Sequence, residues 1–116
     1  MAFDRLRRRL TATVDQLDAV RLQDRYAGLD VTRIEDVPLR RPVRVGGEVQ
    51  ETRIVPRAGS PSLEVAISDG SGRAYAVFTG TTRIPGLSLG RGVLIEGVAR
   101  IERNRVILLN PAYTLL

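Results

Sequence analysis

The sequence predicts a mainly β fold, a small closed barrel of five strands behind one N-terminal α-helix. Three observations carry that expectation. Apolar residues recur every three or four positions from Phe3 to about Tyr26, and every second position from Val43 onward. Neither proline nor glycine occurs before Gly28, whereas both recur throughout the remainder. Short polar or glycine-rich breaks then separate the alternating runs at hairpin intervals. A hydrophobic fraction of 43% over 116 residues suits one domain with a modest core, built mostly from Val, Ile, Leu and Ala.

Residues 1–27 are read as an amphipathic helix. Phe3, Leu6, Leu10, Val14, Leu17 and either Val20 or Arg21 form one apolar stripe, with Asp4 in the first turn and Arg25 in the last, both favourable to the helix dipole. Gly28 marks the expected end. Such a stripe has to bury somewhere, against its own barrel or against another chain. Arg5, Arg7, Arg8 and Arg9 form a basic knot that reads either as a phosphate-contacting arm or as a solvated face partly neutralised by Asp4. Residues 28–42 form a connector in which Pro38 and Pro42 discourage regular structure, and Thr32 and Glu35 have the spacing of a capping box for one helical turn.

Residues 43–116 carry the strands. Val43, Val45, Gly47 and Val49 alternate with polar residues, and Gly46-Gly47 permits a bend or bulge. After the loop Pro56–Pro61 come Leu63, Val65 and Ile67, then the hairpin turn Asp69-Gly-Ser-Gly72 and the strand Arg73–Thr79. Pro85, Gly86 and Gly90 limit the next stretch to a turn or short helix. Val93–Ile101 forms a fourth strand, Arg103-Asn104 a hairpin, and Val106–Leu109 a fifth. Three strands, an irregular break and two more strands describe the five-stranded Greek-key barrel of the OB-fold, whose ligand face lies on strands two and three between the first and last hairpin loops. An SH3-like barrel is the structural competitor. The helix that an OB-fold normally carries between strands three and four is expected to be stunted.

Composition removes much catalytic chemistry. All 18 basic residues are arginine, and the chain has no histidine, cysteine or lysine. That leaves no thiolate, imidazole base, ordinary zinc site, Schiff base or Walker-type phosphate loop. No catalytic residue, metal or cofactor is expected, and an enzyme would need clustered carboxylates of raised pKa. The turn at Asp69 supplies too few carboxylates for a calcium loop, and Glu35-Asp36 reads as a solvated pair. The longest charge-free run, Val106–Leu116, has 11 residues, too few to span a membrane, and the first twenty residues lack a secretory h-region. A cytoplasmic protein without disulfides is the expectation. A net charge of +5 favours polyanions, and an arginine bias from base composition explains the same number.

Ser68-Asp-Gly-Ser-Gly72 and the strand after it resemble the hairpin of the nucleic-acid-binding OB family shared by tRNA-synthetase anticodon domains, polymerase subunits and helicases. Asp24-Arg-Tyr26, then Ile34-Glu-Asp-Val37 and Val43-Arg-Val-Gly-Gly-Glu-Val49, are similar to the approach to the wedge domain of RecG-type DNA helicases. Leu89-Gly-Arg-Gly-Val-Leu-Ile-Glu-Gly97 is similar to that family's fourth strand, and Asn110-Pro-Ala-Tyr113 to its exit; the likeness covers about residues 24–116. It implies a wedge-like domain that binds branched or single-stranded DNA and, ending at Leu116 without a Walker lysine, does not translocate.

Alternation points Ala74, Ala76 and Phe78 inward and Tyr75, Val77 and Thr79 outward, and a one-residue slip would exchange Tyr75 with Phe78. Outward, Tyr75 is a stacking platform for an unpaired base; otherwise it packs into the core or under the helix. Arg44, Arg53, Arg57, Arg73, Arg100, Arg103 and Arg105 lie on strands or loops near the same face. Guanidinium groups suit phosphates and base faces alike, and they also guard exposed strand edges. The expected partner is DNA or RNA. A protein-interaction or oligomerisation module using the barrel face or the helix stripe is the alternative, with oligomeric state open.

Overall fold

Helix α1 spans Ala2–Ala27 in a computed structural model that describes the backbone of residues 2–116 and the side chains of residues 13–116. A single 3-10 turn at Ile34–Asp36 precedes six strands. These are β1 Pro42–Arg57, β2 Ser60–Ser68, β3 Arg73–Thr79, β4 Gly92–Glu102, β5 Arg105–Leu109 and β6 Ala112–Leu115. Neighbouring strands run β1-β2-β3-β5-β4, and β4 pairs back onto β1 to close the barrel. All pairings are antiparallel except β3 with β5. That is the strand order of an OB-fold, mainly β with a single helix in front.

Val45, Val49, Val65, Ile67, Ala74, Ala76, Val93, Ile95, Ala99 and Leu108 fill the barrel, all essentially inaccessible. Small Ala74, Ala76 and Ala99 stand among the β-branched residues, with Phe78 as an aromatic member of the same core. No helix forms between β3 and β4. Leu87, buried on the core, and the half-buried Ile84 pack there from a loop that Pro85 keeps irregular. The sixth strand goes beyond the five expected: Ala112–Leu115 pairs with Val93–Glu96, following Asn110 in the left-handed region (φ 48°) and the buried Pro111.

The long β1 changes faces partway. Its register against β2 slips between Val49 and Glu51, so odd residues face inward before Gln50 and outward after it. This is a β-bulge, three residues beyond the Gly46-Gly47 pair where a bend was expected. Those glycines serve close packing instead: a Cβ on Gly46 would press into the Tyr26 ring.

Helix α1 seats its C-terminal half on the barrel through Leu22 and Tyr26, both buried. Arg21 and Arg25 bond Glu48 on β1 at 3.2 and 3.5 Å, and the amide of Gln23 donates to the Gly70 carbonyl at 2.9 Å. Gly70 is in the left-handed region (φ 85°), and any side chain there would strike the Ala19 carbonyl. The expected stripe points elsewhere. Val14, Leu17 and Val20 are exposed at 63, 65 and 53%, because Leu22 and Tyr26 lie about half a turn around the helix from them. Phe3, Leu6, Leu10 and the arginines at 5, 7, 8 and 9 lie outside the residues whose side chains are described.

Among the described residues the buried Tyr26 hydroxyl has no hydrogen-bond partner, and burial raises its pKa above the usual tyrosine value. Folding is therefore indifferent to this group below pH 10 and loses stability as the pH rises past it. Tyr26→Phe should be neutral or stabilising by up to about 1 kcal/mol at neutral pH. It should also flatten the alkaline loss. Thermal melts of both proteins from pH 7 to 11 check this; a Phe variant that melts well below wild type at pH 7 overturns it.

Candidate nucleic-acid interface

The outer face of β2, β3 and β5 is built by strand alternation. Leu63, Val65 and Ile67 point inward with Ala74, Ala76 and Phe78, so Glu64, Ala66, Tyr75 and Val77 point outward. Phe78 lies in the core, and Tyr75 sits half-buried on the outer face opposite Ala66 on β2 and Ile107 on β5. Although they face outward, Ala66, Val77 and Ile107 are at most 2% exposed.

Tyr75 is flanked by guanidinium groups. Arg105 lies 4.5 Å from the ring centroid and Arg73 lies 6.0 Å from it. Arg105 is held by Glu64, a 4%-exposed carboxylate that receives bonds of 2.7 and 3.4 Å from its two terminal nitrogens. This forked pairing raises the Arg105 pKa further and fixes the plane of the guanidinium. Cation, ring and buried carboxylate thus form one ordered unit on three neighbouring strands.

The hairpins bordering the face are both short. Ala58 and Gly59 turn β1 into β2, and Arg103 and Asn104 turn β4 into β5, every one of the four at positive φ. Arg57 and Glu102 stand at their feet and join at 2.5 Å; Arg100 meets the same carboxylate oxygen at 2.5 Å. The Arg57 hydrogen bond holds the Glu102 carboxyl below its usual pKa, with charge attraction from Arg57 and Arg100 adding to it. Arg53 lies opposite Glu64 in register, and Arg53, Arg73 and Arg103 are exposed without an ion pair among the described residues.

Six of the seven expected residues therefore gather here: Tyr75, Arg53, Arg57, Arg73, Arg103 and Arg105. Arg44 does not. It precedes the β1 bulge and pairs with Glu96 at 2.8 Å on the β1–β4 wall, where Gly46 meets the helix. The carboxylates Glu64 and Glu102 were missed, since alternation shows only that Glu64 points outward. It cannot show that arginines from other strands reach these acids. No set of three or more metal-binding side chains occurs among the described residues, and no helix there is long and apolar enough to cross a membrane.

No protein-family model matches the chain, and no curated protein matches it. A solved structure does. The chain is similar to one in the Stn1–Ten1 complex of S. pombe, with a TM-score of 0.52 and 19% sequence identity. The likeness is one of fold. It covers 66% of this chain and 58% of the other, so this chain matches little more than half of its length. The resemblance to the RecG wedge finds no support in these comparisons; the OB-fold itself does.

Proposed function

We propose that this protein is a non-catalytic nucleic-acid-binding module that takes single-stranded or branched DNA on the outer face of β2 and β3. The observation that carries the reading is the Arg105 guanidinium held 4.5 Å over Tyr75. A ring and a cation ordered together offer a platform for an unpaired base, and every base has a face to stack. Arg53, Arg57, Arg73 and Arg103 around that platform supply phosphate contacts, so sequence preference is weak. Arg44, on the other wall, has no part in it.

Fluorescence anisotropy with single-stranded, duplex and forked DNA and with RNA, across a salt series, tests the proposal. Single-strand affinity should fall with salt at a log–log slope near −0.7 per phosphate engaged. A preference for the fork over the plain strand is what a wedge-like role requires. No binding at low salt overturns the proposal.

A protein-binding role is the second reading, favoured by the exposed Val14, Leu17 and Val20 on α1. The similar solved chain also comes from a complex of two proteins. Sizing at several concentrations separates self-association from a monomer.

A further inference from the structure

We infer that Glu102 occupies a phosphate subsite of this face, and that a polynucleotide binds there by replacing the carboxylate. The inference rests on the nucleic-acid reading above. One oxygen of Glu102 accepts from Arg57 on β1 and from Arg100 on β4, each at 2.5 Å. Two guanidinium groups converging on a single anionic oxygen are what a backbone phosphate needs. The bond to Arg57 also ties the β1–β2 hairpin to the β4–β5 hairpin, the two loops between which an OB-fold ligand lies. In the free protein the tie closes that end of the groove and neutralises arginines the ligand requires.

Exchange is feasible because the pair is only part-buried, with side-chain exposures of 26% for Arg57 and 31% for Glu102. Water reaches both groups, so separating them strands no buried charge. Glu64 differs. At 4% exposure it holds one arginine with both oxygens from beneath, and it stays in place to position Arg105. One carboxylate supports the platform; the other stands where the ligand's charge belongs.

Glu102→Gln tests the exchange, with Glu96→Gln as its partner. Both changes remove one negative charge from β4, but Glu96 lies on the β1–β4 wall against Arg44. The probe is a fluorescein-labelled oligo-dT of roughly 15 nucleotides, a length within the range of one OB-fold site. Glu102→Gln should tighten binding about three- to tenfold at low salt and steepen the salt slope by about 0.7, one further phosphate. Glu96→Gln should leave both within twofold of wild type. Adding Arg57→Ala to Glu102→Gln should abolish the gain. If wild type binds while Glu102→Gln leaves affinity and slope unchanged, or weakens binding, the subsite is wrong and the general reading stands. Equal gains from both single variants also overturn it, since bulk charge then explains them. If wild type itself fails to bind, the functional reading falls first. Inorganic phosphate at millimolar concentration should compete poorly, because it brings no base for Tyr75; full competition shows a free-anion site and overturns the polynucleotide assignment.

Discussion

Tyr75→Ala should weaken single-strand binding by about 1–3 kcal/mol, roughly 5- to 150-fold in Kd, while Tyr75→Phe stays within about twofold. The contrast follows from what the ring does. The ring lies beneath the Arg105 guanidinium at 4.5 Å, and phenylalanine preserves that ring for the stack. Alanine removes both the platform and the aromatic wall that keeps Arg105 flat. Melting temperature measured on the same samples separates the two roles of the ring. A Tyr75→Ala protein that melts early yet binds as well as wild type shows that the ring only packs. Arg105→Ala is the poorer probe, because it leaves the buried Glu64 carboxylate without its cation and destabilises the barrel as well.

Asp69→Ala should cost about 2–4 kcal/mol of stability, a fall in melting temperature of roughly 10–20 °C. Asp69 is 4% exposed. Its Oδ1 accepts from the Ser71 backbone at 2.9 Å, the Ser71 hydroxyl at 2.7 Å and the Gly72 backbone at 3.3 Å. Its Oδ2 accepts from the backbone N–H of the buried Ile34 at 2.9 Å. One carboxylate therefore shapes the β2–β3 turn and caps the 3-10 turn of the connector, and its loss leaves a buried donor unmet. Asp69→Asn keeps one acceptor but can turn an amide N–H toward the Ile34 N–H, so it should fall between alanine and wild type. An Asp69→Ala melt within about 2 °C of wild type rules out this latch.

The same latch shows where the sequence was legible. The Asp69–Gly72 turn could be read directly, since a polar, glycine-rich break between two alternating runs is a local signal. The cap on the 3-10 turn could not. Thr32 and Glu35 have capping-box spacing, yet Arg33 at the N-cap makes no side-chain bond, and the acceptors are Asp69 and Ser71, whose hydroxyl takes the Glu35 N–H at 3.2 Å. Likewise the helix could be read, but its docking face could not. The regular stripe of Val14, Leu17 and Val20 is stronger in the sequence than Leu22 and Tyr26, which meet the barrel because Gly46 and Gly70 leave room for them.

By itself the sequence determined the strand alternation but not its register, which left Tyr75 and Phe78 interchangeable until strand pairing set Phe78 inward. Its composition left only carboxylates, hydroxyls, tyrosine and arginine to do anything chemical. Those are properties of neighbouring residues and of counts, and neither depends on which strand meets which. Tertiary structure decided the arginines. Closure of the barrel brought Arg105 over Tyr75 and Glu102 between Arg57 and Arg100, and the bulge after Val49 let Arg53 and Arg57 join that face while Arg44 stayed on the other wall. A guanidinium on a long stem acts wherever its carboxylate or ring is placed, and that placement comes from pairings between residues tens of positions apart.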